Sequence, residues 1–142
     1  MIREDFIMRL IRQLVEALAR IAGFRKRGEY DRALQEVEHA WEELGVPREL
    51  VLATDRETLV SLLREPAKQR VAAELLAEEA HVVQAKGDPL HAAALRRRAV
   101  ELFAAARESD PSAGADDDAS IAELARYLPP AVLTDALRRE AE

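Results

Sequence analysis

The sequence predicts an all-α protein made of antiparallel helical hairpins. Apolar residues recur at i, i+3, i+4 and i+7 through most of the chain, a period that only a helix turns into one face. Aromatics make up 4% of the 142 residues, and alanine and leucine abound while glycine occurs five times, which favours helix over strand. Gly28, Gly45 and Gly87 each follow an apolar-periodic stretch, where helices end.

The first helix spans Ile2 to Lys26, with Phe6, Ile7, Leu10, Ile11, Leu14, Val15, Leu18, Ile21 and Ala22 at helical spacing. At 100° per residue its apolar arc spans roughly 200°, wider than the stripe of a helix lying on one core. Two surfaces are needed to cover it: later helices and the tail, or a second copy of the chain. The second helix sets Tyr30, Ala33, Leu34, Val37, Ala40, Trp41 and Leu44 on one face and stops at Gly45.

A short turn near Arg48 to Leu52 precedes a helix from Asp55 to Arg64, where Thr54 and Glu57 have capping-box spacing. Pro66 opens the next helix, which runs to Lys86 with Val71, Ala72, Leu75, Leu76, Ala80, Val82 and Val83 inward. Another follows from Asp88, carrying Leu95, Ala99, Leu102, Phe103 and Ala106. The expected organisation is a helical-hairpin domain over 1–108, a polar loop over 109–119, and short helices over 120–142 packing on the same domain, near Ser120 to Leu128 and Pro130 to Glu140.

Several function classes are disfavoured at once. A net charge of −6 repels nucleic acid and anionic lipid. The chain has no cysteine, which removes disulfides and thiolate chemistry, and no apolar run nears the roughly 20 residues that span a bilayer. Glu4 and Asp5 stand where a signal peptide would be basic, so a cytoplasmic location is expected.

Aligned on Gly28 and Gly87, the two hairpins also match at Ala33 with Ala92, Ala40 with Ala99 and Phe24 with Val83. "GEYDRALQEVEHAW" resembles the second half of a tetratricopeptide repeat, although the glycines stand 59 residues apart and such units recur about every 34. Ala17 and Ile21, with Leu76 and Ala80 in the second unit, replace the tryptophan and glycine of the repeat's first helix, so both units are degenerate. With its opening "MIREDFIMRLIRQL", the chain is similar over most of 1–108 to an uncharacterised bacterial family of tetratricopeptide-like shape. The resemblance implies a helical array and transfers no catalytic residue or cofactor.

Residue by residue, the chemistry is sparse. His39 and His81 fall on polar helix faces and His91 near a helix start, none in a metal-ligand pattern. Asp116 to Asp118 lack the ligand alternation of a calcium loop and suit the start of the following helix. Arg96 to Arg98 point 100° apart and cannot act as one patch. Glu79 sits inside an apolar arc and needs a partner such as Arg96 or Arg98; a general acid or base there is the sharper alternative.

The sequence therefore points to a non-enzymatic scaffold or interaction module without cofactor, self-associating as a dimer through Phe6, Met8, Ile11 and Val15. Capture of a protein or peptide in a groove is one alternative. A small-molecule sensor or enzyme using Glu79 is the other.

Overall fold

The computed structural model describes residues 2–138, and among these every regular element is helical. The order is α1 (Ile2–Lys26), α2 (Tyr30–Leu44), α3 (Leu50–Ala53), α4 (Arg56–Leu63), α5 (Pro66–Ala85), α6 (Pro89–Ser109), a 3-10 turn (Pro111–Ala113), α7 (Gly114–Ala125) and α8 (Pro130–Leu137).

Chain reversal is alike in the first two hairpins. After α1 the N–H of Glu29 donates to Phe24 O at 2.8 Å, and after α5 the N–H of Asp88 donates to Val83 O at 3.0 Å. Gly28 and Gly87 take φ of 75° and 97° to make that turn, a region open to glycine at little cost. Phe24 and Val83, matched in the sequence, are thus the two accepting carbonyls.

Cross-links fix the directions of the longer helices. Arg3 pairs with Glu65 at 2.6 Å and Arg25 with Glu78 at 2.7 Å, so α1 and α5 run the same way. Arg70 on α5 meets Asp117 at 2.9 Å and His81 meets the Tyr127 ring, which makes α7 parallel to α5 as well. Between them lie α2 and α6, antiparallel to their neighbours: Lys86 at the end of α5 reaches Asp31 at the start of α2, and Arg107 at the end of α6 reaches Asp118.

The core is continuous along this row. Leu14, Ile21, Val37, Trp41, Leu75, Leu76, Leu95 and Leu102 are all shut off from solvent. Burial of that kind supplies on the order of 2 kcal/mol per large side chain.

Several sequence expectations change. The 109–119 segment is mostly helical: α7 begins at Gly114, because Asp110 accepts from the Ser112 N–H and hydroxyl while Asp117 binds Arg70 from inside the first turn. Asp55, and not Thr54, caps α4 by accepting from the Thr58 N–H at 2.7 Å. The last helix ends at Leu137, and the expected stretch past Arg138 lies outside the described residues.

Arg70 ties α5 to α7 and to the α6–α7 connection. It donates to Asp117 at 2.9 Å, to the Asp110 carboxylate at 2.9 Å, and to the carbonyls of Ala106 and Asp110 at 3.3 and 2.8 Å. Asp117 is 2% exposed, so it depends on that guanidinium. Arg70→Ala is expected to lower stability by about 3 kcal/mol in urea denaturation. Adding Asp117→Asn should recover part of the loss, since no charge is then stranded.

Candidate functional site

Three places invite chemistry or recognition: the outer stripe of α1, the buried Glu79, and a cleft between α5 and α7.

On α1, Leu10, Leu14, Ala17 and Ile21 are buried against α2 and α5, whereas Met8 and Val15 stay 61% and 51% exposed. Ile11 is half-buried against the core, so it contributes an edge to the stripe and not a free face. Phe6, 60% exposed, lies about 160° round the helix from Met8 and opens on the α2 flank, apart from the others. Met8, Ile11, Val15, Leu18 and Ala22 form one line at alternating three- and four-residue steps.

Glu79, 3% exposed, binds Arg48 through Oε2. Arg48 sits on the α2–α3 connection, and neither of the expected arginines is available: Arg96 turns towards α7, and Arg98 donates to the Thr54 carbonyl at 2.6 Å. Burial raises the Glu79 carboxyl above its ordinary value against the pull of Arg48 and, more remotely, His91. Its Oε1 finds no hydrogen-bond donor among the described residues.

The cleft was not foreseen. Its α5 wall carries Glu74, Ala77, Glu78 and His81, one face at helical spacing, and its α7 wall carries Ala119, Ser120, Glu123, Leu124 and Tyr127. Phe103 and Arg96 of α6 form the floor of a cavity of about 400 Å³. Arg96, 4% exposed, lies over the Tyr127 ring at 4.1 Å, donates to Gln84 Oε1, and approaches His81 Nδ1 at 3.4 Å. His81 meets Tyr127 edge-on at 5.5 Å and is half-buried, where a solvent position was expected, because α7 folds back over that side of α5. Burial, then Arg25 and Arg96, hold its imidazole below the usual histidine range, so the ring is neutral at neutral pH.

At the rim, Glu78 is gripped by Arg25 and Glu123 by Arg126, while Glu74 has no cation beside it among the described residues. Glu74 is exposed at the mouth of the cleft, where partial desolvation by the walls and then the Glu78 charge raise its carboxyl. A periodic reading of α5 alone places these residues on one polar face; only the return of α7, with Tyr127, turns the face into a cleft.

Elsewhere His39 is exposed beside Glu43 at 2.9 Å, and His91 lies 3.9 Å from Asp88. No three potential ligands among the described residues converge as a metal set. The consecutive arginines diverge as expected, Arg96 to the cleft, Arg97 to Asp135 of α8, and Arg98 to α3.

The Arg48–Glu79 pair yields a pH-dependent outcome. The folded value of Glu79 lies above its unfolded value of 4.5, so its ionisation weakens the fold as pH rises from 4.5 through the folded value. Arg48→Ala removes the one attraction in hydrogen-bond contact and lifts that value further. The substitution should cost about 3 kcal/mol at pH near 8 and distinctly less as the pH falls towards 4.5, because protonation relieves the unpaired buried charge, as read from paired urea titrations. The chain matches no protein-family model, no curated protein and no solved structure, so its site is read from geometry alone.

Proposed function

We propose that this chain is a non-enzymatic cytoplasmic scaffold, a degenerate tetratricopeptide-like array of the uncharacterised bacterial kind it resembles, that pairs with a second copy of itself through α1. The carrying observation is that Met8 and Val15 stay more than half exposed, at 61% and 51%, on a helix otherwise seated on α2 and α5. The repeat-like reading draws support from the matched turns at Gly28 and Gly87 and from the shared direction of α1, α5 and α7.

Charge says which partner suits the stripe. α1 has Glu4 and Asp5 in its first turn and Arg25 and Lys26 in its last. A copy laid antiparallel about Val15 sets Met8 against Ala22 and brings each acidic end beside a basic one, twice by symmetry. The same helix laid parallel would bring like charges together.

No helix among the described residues is long and apolar enough to cross a membrane. A groove for a peptide is the second reading, favoured by the cleft on α5, the helix next to α1. Glu79 as an acid–base catalyst has weaker support, because it lies at Arg48 and lines none of the cavities described.

Light scattering at tens of micromolar should give twice the chain mass; a monomer mass overturns the pairing. Val15→Glu should yield monomer, and Phe6→Glu, off the stripe, should not. Because the chain has no cysteine, Val15→Cys near the two-fold axis should oxidise to a linked dimer faster than Met8→Cys, checked by non-reducing electrophoresis.

A further inference from the structure

We infer that the α5–α7 cleft is a binding site for a small zwitterion, its carboxylate held by Arg96 and its ammonium end by the rim carboxylates on α5. Four charged side chains are buried among the described residues: Arg56, Glu79, Arg96 and Asp117. Glu79 has Arg48, Asp117 has Arg70, and Arg56 has Glu57 at 3.7 Å with the carbonyls of Ala136 and Arg138 at 3.3 and 3.2 Å. Arg96 is met by the Gln84 amide, the neutral His81 ring and the face of the Tyr127 ring, and among the described residues no carboxylate pairs with it. A buried cation without its counter-ion is costly, and the cavity of about 400 Å³ beside it is large enough to admit one.

The fork of the guanidinium fits a carboxylate, whose two oxygens can replace the Gln84 amide oxygen. Gln84 is itself exposed and can swing out. A plain anion would have to pass Glu74, Glu78 and Glu123 to get there, and a plain cation at the rim would leave Arg96 as it is. A molecule carrying both charges answers both ends. Glu74 is the seat for the ammonium group because Glu78 and Glu123 are already paired with Arg25 and Arg126. Between the ends lie Ala77, Phe103 and Leu124, which suit an alkyl or aryl body.

The probes are straight-chain amino carboxylates of increasing length, γ-aminobutyrate, ε-aminocaproate and ω-aminocaprylate, with caproate and hexylamine as singly charged comparators. Calorimetry on the full chain should show the best amino carboxylate binding at least about tenfold tighter than either comparator. Glu74→Gln should reduce it to the level of caproate. Gln84→Glu supplies Arg96 with a carboxylate from the protein itself, so it should weaken binding about tenfold while leaving the fold intact or steadier in a thermal melt. No binding by any probe up to about 10 mM, equal affinities across the set, or unchanged binding in the folded Gln84→Glu variant overturns the assignment.

Discussion

The pairing of α5 with α6 rests on side chains of minimal size, and every other helix takes its position from it. Ala73 and Ala80 on α5, and Ala92, Ala99 and Ala106 on α6, recur at seven-residue steps, and all five are completely buried. Small residues at that repeat let two backbones approach closely along their whole length, and the larger Leu75, Leu76, Leu95 and Leu102 then fill the spaces to either side. Few aromatic side chains are needed in such a core. Trp41 is the chief exception, filling the α2 side.

Once that pair is in place, its two flanks differ. α1 and α2 dock on the α5 side, α7 and α8 on the α6 side, and the short α3 and α4 fill the break between the two halves. The charged links follow the seams: Arg25 to Glu78, Arg48 to Glu79, Arg70 to Asp117, Arg97 to Asp135. Each joins elements far apart in sequence, so the ion pairs specify arrangement more than they add stability. Arg96 departs from this pattern, in that its charge faces a cavity and not a carboxylate.

Helical class and the long elements were legible because apolar periodicity over twenty or so residues has one explanation. The start of α7 was not, since "PSAGADDDAS" carries no apolar period; its helix is stabilised by Asp117 reaching Arg70, a residue 47 positions earlier. Glu79 was picked out correctly as buried, but its partner was missed. A helical wheel gives the direction of a side chain and says nothing of a connection such as the one carrying Arg48. The cleft was invisible for the same reason, as Tyr127 joins His81 only after two intervening reversals of the chain. The open stripe of α1 was legible in part: the width of its apolar arc announced Met8 and Val15, while the half-burial of Ile11 depended on how α5 lies.

The Arg70 clamp gives the molecule an uneven grip on its own parts. α7 buries few large side chains and owes much of its attachment to a single guanidinium, whereas α5 and α6 are locked along their full length. One wall of the cleft therefore belongs to the most extensively packed pair of the protein and the other to a helix with a shallower seat, for which a lower opening free energy is expected. Whatever fills that space bridges the two, and its presence would register as slower hydrogen exchange throughout α7, well beyond the atoms it touches.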